Sequence, residues 1–205
     1  FLQHWNKFFN MKTEDTQDIF PLSKSKSVKG SRRLAREKAL QIINAYLISE
    51  ISWAQSFGHI FSREFNFGEA EDEKKHDRIL TNDEVLEIES DVPIKWKQEE
   101  IDFCHKLIKE TIALAPSIDE LIEEYAENWE LERIALIDRI LMQIAITELM
   151  KFPEIPPKVS INEAIDIAKK YSTPKSSTFI NGVLDSVNEK LQKEGKINKS
   201  GRGLM

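Results

Sequence analysis

The sequence predicts an all-α protein. Apolar residues recur every third and fourth position in almost every periodic segment, which places them on one face of a helix. Seven glycines and seven prolines in 205 residues are few, and strand alternation and hairpin turns are hard to find. A hydrophobic content of 40% is enough for one good core, or for two small cores in contact. Helices packed on helices are therefore the predicted architecture.

Residues 1–30 are predicted to form a flexible leader. This segment begins with aromatic residues, continues with lysine and serine, and ends at Gly30. It lacks the positive opening and apolar stretch of a secretory signal. Phe1 is not a normal translational start, so either Phe1 or Met11 lies near the true beginning. The folded part is expected to start at Ser31.

Three helices are expected in an N-terminal subdomain at residues 31–115. They cover Ser31–Glu50, Ser52–Phe67 and Trp96–Leu114, each with apolar residues along one face. A charged insertion near residues 68–91 separates the second helix from the third. Its composition fits a loop, a short added helix or a disordered excursion.

A C-terminal subdomain is expected at residues 116–195, followed by a disordered tail at residues 196–205. Pro116 stands before an S-x-x-E capping-box spacing at Ser117, which predicts a new helix there. Leu131–Met150 is apolar around most of its circumference, which predicts a helix at the centre of the bundle. The polar strip of that helix expected to reach solvent consists of Glu132, Arg139, Gln143 and Thr147.

Two more helices are expected after the central one. Ser160 and Glu163 have the capping-box spacing, so a helix is predicted to begin near Ser160. Pro174 ends it, and the last helix begins near Ser176. Gly182 lies inside that last helix, where glycine costs about 1 kcal/mol relative to alanine. Close approach of another backbone or of a ligand explains such a glycine, and helix–helix packing is the preferred reason.

Charge is unevenly distributed along the chain. The total is −6, but the segment from Lys24 to Lys38 carries a net +6, which leaves −12 for the rest. A basic cluster on an acidic protein can bind phosphates at one defined place, while the remaining surface repels nucleic acid. A solvated basic tail is the alternative interpretation.

The sequence offers no clear catalytic or metal chemistry. A single cysteine, Cys104, excludes an internal disulfide and fits a reducing cytoplasm. Motifs of the common phosphate-binding, dinucleotide, zinc and hydrolase sites are missing, and no run has the roughly 18 apolar residues of a membrane span. Glu73 and His76 match half of a di-iron pattern, for which a solvated charge run is the preferred explanation. We therefore predict no catalytic residue, no metal and no cofactor, and we expect a cytoplasmic binding protein.

Three sequence blocks resemble the NusB family of transcription antitermination factors. They are INEAIDIAK at 161–169 and FINGVLD at 179–185, preceded by IPPKV at 155–159. The segment WELERIALIDRILMQIAITEL at 129–149 is similar to the family's central helix, and Arg36-Glu37 match a pair in its first helix. The resemblance implies a NusB-like fold of two packed three-helix subdomains with about seven helices.

The resemblance also implies partners and site residues. Family members bind a short single-stranded RNA element, boxA, together with the ribosomal small-subunit protein NusE in the transcription elongation complex, and some pair as homodimers. By this resemblance, phosphates would be neutralised by Arg32, Arg33 and Arg36. A base would stack on Phe179, and polar contacts would come from Lys175 and Asn181. Asp138 and Arg139 match charged positions near the partner surface, although an intramolecular ion pair explains them equally well.

Two other functions remain open from the sequence. Ribosomal RNA methyltransferases can carry a NusB-like RNA-recognition domain, but such an enzyme would need a longer gene with room for a cofactor-binding domain. A helical adaptor that binds protein through its acidic surface is the other alternative. A lack of RNA affinity, with or without NusE, would favour the adaptor.

Overall fold

A computed structural model describes residues 28–49, 51–62, 94–126 and 130–204 of the chain. The expectations for most of the leader, for the 68–91 insertion with Glu73 and His76, and for Trp129 lie outside these residues. The chain divides into two compact units. One of them, within its described residues, consists of two short parallel strands, β1 (Val28–Lys29) and β2 (Ile94–Lys95).

The other unit is helical and confirms the predicted all-α class. Its described residues form six α-helices: α1 (Arg32–Ile48), α2 (Trp53–Phe57), α3 (Gln98–Tyr125), α4 (Leu136–Lys151), α5 (Pro157–Tyr171) and α6 (Ser176–Lys193). A π-helical turn at Gly58–Ser62 continues α2, and 3₁₀ turns occur at Leu131–Arg133 and Gly201–Leu204. None of the helices in the described ranges combines the length and apolar character needed to cross a bilayer.

Helix α3 is one continuous helix, whereas the sequence predicted two helices meeting at Pro116. A proline inside a helix removes one backbone hydrogen bond, but it does not have to end the helix. The Ser117 hydroxyl donates to the Leu114 carbonyl at 2.9 Å instead of capping a new helix. The predicted subdomain boundary at residue 116 therefore falls within a helix, and α3 packs against α1, α4 and α6.

Helix α4 is the centre of the helical unit, as predicted. Residues 140–149 are buried without interruption, and the helix packs against α1, α3, α5 and α6. The predicted solvent strip is wrong at two positions, since Gln143 and Thr147 are both buried. Gln143 donates to Asp119 of α3 at 2.7 Å, and the Thr147 hydroxyl donates to the Gln143 carbonyl at 2.8 Å. These bonds replace water as the partners of the two polar side chains.

Helix α5 begins three residues earlier than predicted, at Pro157. Proline suits the first position of a helix because its missing N–H would have no partner there. Ser160 therefore lies inside the helix, and its hydroxyl donates to the Glu148 carboxylate at 2.8 Å. Glu163 pairs with arginines of α1. The predicted capping box is wrong because both side chains have tertiary partners.

A buried ion pair fixes α1 to the central helix. Nε and Nη2 of Arg36 donate to the two carboxylate oxygens of Glu148 at 2.7 and 3.0 Å. The side chains are only 5% and 1% exposed, respectively. With the Ser160 hydroxyl on the same carboxylate, the cluster joins α1, α4 and α5. Charges removed from water to this degree persist only when they are paired and hydrogen-bonded.

The C-terminal segment is docked along residues 196–204, where a disordered tail was expected. Lys199 Nζ donates to the carbonyls of Glu148 and Phe152 at 3.0 Å each, and burial lowers the pKa of this amine. These carbonyls lie at the end of α4, and they also accept backbone N–H groups from Phe152 at 3.2 Å and from Ile155 at 3.1 Å. Gly203 lies so close to Pro153 that a Cβ atom would be 1.9 Å from the Pro153 oxygen. The tail therefore adds a cation to the C-terminal end of α4, a favourable position that its polar composition did not reveal.

We predict strong coupling between Arg36 and Glu148 in the stability of the fold. Arg36→Met or Glu148→Leu alone should lower the free energy of unfolding by about 3–5 kcal/mol, because each leaves a buried charge without its partner. The double variant should lose at least about 2 kcal/mol less than the sum of the two single losses. Urea unfolding followed by circular dichroism measures all three. Lys193→Ala, which removes an exposed partner of Glu189, is the control and should cost at most about 1 kcal/mol. If the loss of unfolding free energy in the double variant equals the sum of the two single losses, Arg36 and Glu148 do not stabilise the fold as a pair.

Candidate nucleic-acid interface

Arg32 presents a stacked cation at the beginning of α1. It is exposed, and its guanidinium carbon lies 4.2 Å from the centroid of the Phe103 ring of α3. Stacking on an aromatic face leaves the N–H groups at the edge of a guanidinium available for hydrogen bonds. Arg32 is thus an exposed cation with a defined position.

Arg33 is held by two carboxylates of α5. Its Nε and Nη2 donate to Glu163 at 3.2 and 3.1 Å, and Nη2 also donates to Asp166 at 2.7 Å. The Arg33 side chain is half exposed. Hydrogen bonds to Glu163 and Asp166 raise the pKa of Arg33, while bonds from Lys169 and Arg33 lower the pKa of Asp166.

Arg36 lies inside the protein. The sequence placed it with Arg32 and Arg33 as a phosphate ligand, but its guanidinium is paired with Glu148 and lies 3.7 Å from Glu163. At 4% exposure the residue offers almost no surface to a ligand. The structure therefore separates the arginine run into two exposed residues and one buried one.

The beginning of α6 brings Lys175 and Phe179 together. Lys175 is exposed at the N-cap position, and Phe179 lies four residues later on the same side of the helix, partly exposed and packed against the core. Asn181 is exposed on another side, since two residues of a helix turn it by about 200°. Its amide donates to Asp185 at 2.9 Å. The structure thus groups Lys175 with Phe179 and separates Asn181 from them.

Helix α5 connects the arginines to the beginning of α6. Asp166 contacts Arg33, and one turn further along, Lys170 and Tyr171 both donate to Glu37 of α1 at 2.7 Å. The bond to Glu37 raises the pKa of Lys170. From Asp166 to Tyr171 the helix rises by about 8 Å. The turn at residues 172–175 then leads to α6, so both groups of predicted residues adjoin α5.

Gly182 has no packing role. It is exposed in the middle of α6, and a Cβ atom built there meets nothing within 4 Å. The preferred explanation from sequence, helix–helix packing, is therefore wrong. Gly182 lies three residues after Phe179, which places it next to that ring on the helix surface. Gly182 therefore adds no side chain beside the ring, and its carbonyl accepts the Ser186 hydroxyl at 3.1 Å.

Asp138 and Arg139, the predicted partner contacts, belong to a separate cluster at the beginning of α4. Arg139 donates to both carboxylate oxygens of Asp119, at 3.0 and 2.5 Å, and Gln143 shares that carboxylate. The intramolecular explanation therefore holds for Arg139, whose side chain is still one-third exposed. Asp138 is 5% exposed, and within the described residues one of its carboxylate oxygens is buried without a hydrogen bond.

Other chemistry finds little support in the described ranges. Cys104 is fully buried with its thiol 3.3 Å from the Ala35 carbonyl, and burial raises its pKa, so it is a core residue. Those ranges contain no group of three or more His, Cys, Asp or Glu residues able to hold a metal ion. A cleft of about 560 Å³, lined in part by Lys158 and Asn188, adjoins the beginning of α5, the end away from Tyr171.

Sequence reasoning missed the carboxylates opposite the arginines. Glu163 was assigned to a helix cap, and Asp166 was given no role. One available signal was their spacing of three residues, which places two acids on one face of α5. Nothing in the sequence, however, says that this face lies against α1.

Comparison with known proteins identifies the family. The family model described as "NusB family" matches residues 33–189. The transcription antitermination protein NusB of Salinibacter ruber is 52% identical over 114 residues, which cover 56% of this chain and 71% of that protein. The protein of the same name from Chloroherpeton thalassium is 38% identical over 175 residues, covering 85% of this chain and 69% of that protein.

Solved structures agree with the fold. A crystal form of T. maritima NusB matches with a TM-score of 0.58 and 24% identity, covering 80% of this chain and 94% of that one. A crystal structure of the antitermination factors NusB and NusE in complex with dsRNA matches with a TM-score of 0.57 and 17% identity, covering 78% and 96%. The family model matches most of the chain, and the second relative aligns with 85% of it. The chain therefore belongs to the NusB family.

Proposed function

We propose that this protein is an RNA-binding transcription antitermination factor. It binds boxA-like single-stranded RNA together with NusE in the elongation complex, acts in the cytoplasm and catalyses no reaction. The names of its relatives and the NusB–NusE–RNA assembly of a structural neighbour support this role. The observation that carries it is that exposed cations at the beginnings of α1 and α6, and a partly exposed aromatic ring, adjoin the same helix, α5.

In this proposal the RNA backbone is bound by cations at the two helix beginnings. Arg32, oriented by Phe103, and the exposed part of Arg33 contact phosphates near α1, and Lys175 contacts a phosphate near α6. Such contacts release counterions and give an affinity that falls as salt rises. Arg36 has a structural task, because its pair with Glu148 holds α1 in place.

Phe179 and Gly182 form the base-binding part of the proposed surface. An aromatic ring can stack a base of any sequence for about 1–3 kcal/mol. Gly182 has no side chain next to that ring, and within the described residues a Cβ atom built there meets nothing within 4 Å, which leaves room for a nucleotide to approach. Asn181 lies on a different side of α6 and would make at most a marginal contact. The exposed part of Arg139 remains the proposed contact with the protein partner, with Asp138 beneath the same surface.

We predict that Phe179→Leu weakens RNA binding by about 5-fold or more, because leucine keeps the apolar packing but cannot stack a base. Lys175→Ala should weaken binding and reduce the slope of log affinity against log salt by about 0.7.

Fluorescence anisotropy with labelled boxA-like RNA, titrated at several salt concentrations with and without NusE, measures the affinity and the salt slope of each variant. Lys158→Ala removes the same charge at the beginning of α5 and should change neither quantity. Equal effects of the two lysine variants would count against the proposed surface.

We predict that Gly182→Ala changes stability and binding in opposite directions. Alanine is favoured over glycine inside a helix by about 1 kcal/mol and meets no atom here, so the unfolding free energy should rise. The added methyl group narrows the approach to Phe179, so RNA affinity should fall by about 3-fold or more, the equivalent of part of a stacking interaction. Thermal unfolding and the same anisotropy assay give the two values. A more stable protein with unchanged RNA affinity would show that the lack of a side chain at Gly182 has no part in RNA binding.

A further inference from the structure

We propose that Glu163 and Asp166 set the RNA affinity of the protein by competing with phosphate for Arg33. The inference rests on the proposed function, because it concerns the same surface. These two carboxylates of α5 would lower the RNA affinity by occupying Arg33, without a favourable contact of their own to the RNA.

The geometry of Arg33 shows the competition. A guanidinium group has five N–H donors, and three of those on Arg33 are directed to Glu163 and Asp166. Bidentate recognition of a phosphate uses two donors on one edge of the group. Within the described part of the chain only Nη1 lacks such a bond, so a phosphate must either use that nitrogen alone or displace a carboxylate.

The charge balance around α1 agrees with this view. Arg33, Arg36 and Lys169 are matched by Glu148, Glu163 and Asp166. A phosphate that reaches Arg33 therefore also comes close to two carboxylates, and their repulsion offsets part of the attraction. The positive charge of Arg33 and Arg36 is thus offset at this place.

The carboxylates are not needed to hold α1 on the bundle. That contact is made by the buried pair of Arg36 with Glu148. In the Arg33 pairs the side chains of Arg33 and Asp166 are 50% and 42% exposed, and that of Glu163 is 19% exposed. Ion pairs on a surface contribute between about 0 and 1 kcal/mol each. Neutral side chains of the same shape at positions 163 and 166 should therefore leave the protein folded, and the change in affinity can be measured on intact protein.

The test is the double variant Glu163→Gln with Asp166→Asn. It should bind boxA-like RNA about 3- to 10-fold more tightly, since two competing surface pairs are removed. Its salt dependence should also be steeper, because Arg33 then acts as a full phosphate ligand. Arg33→Ala should weaken the double variant strongly but the original protein only slightly. Glu189→Gln with Glu194→Gln changes the net charge equally at the far end of α6 and should have little effect.

The outcomes separate this inference from the proposed function. One outcome is that Phe179→Leu weakens RNA binding while the Glu163 and Asp166 double variant binds RNA as the original protein does. This outcome would overturn the inference and leave the proposed function standing. Weaker binding by the double variant would also overturn it, since the carboxylates would then hold Arg33 in a productive position. No RNA binding by the original protein, with or without NusE, would overturn the proposed function itself. Circular dichroism and thermal unfolding of each variant check that the fold is kept.

Discussion

The buried pair of Arg36 and Glu148 is the interaction on which the rest of the structure depends. It joins the first helix to the central one, and Ser160 brings α5 to the same carboxylate. A pair so deeply buried adds little net stability compared with apolar packing, but it tolerates only one arrangement of the three helices. The backbone of Glu148 also accepts the Lys199 amine of the docked tail. One residue therefore fixes α1, α5 and the C-terminal segment relative to α4.

The proposed binding surface follows from that arrangement. Once Arg36 fixes α1, Arg32 and Arg33 emerge beside α5, and the end of α5 leads directly to Lys175 and Phe179. The surface thus consists of parts from two helices far apart in sequence. Glu163 and Asp166 lie opposite Arg33 and offset part of the positive charge of this surface. In the proposed function, shape and ring stacking contribute alongside charge.

The sequence predicted the all-α class and the central helix, because seven of the ten successive buried positions in α4 are apolar. It was less reliable where a side chain has a tertiary partner. Ser160 and Glu163 fit a capping box on local spacing, but both bond to other helices. Pro116 was taken as a helix boundary, although a long helix can include one proline. In the same way, Arg36 and Arg33 look alike in sequence and differ only in what α4 and α5 place opposite them.

The account is tested most directly by mapping where RNA changes the protein. In a titration of isotope-labelled protein with boxA-like RNA, followed by amide chemical shifts in NMR spectra, we expect the largest changes in three places: the first turns of α1, the last turn of α5 and the first two turns of α6. Changes confined to the cleft beside Lys158, or to the beginning of α4, would contradict the proposed surface. That result would leave the family assignment intact and show that the RNA binds to a different face of the protein.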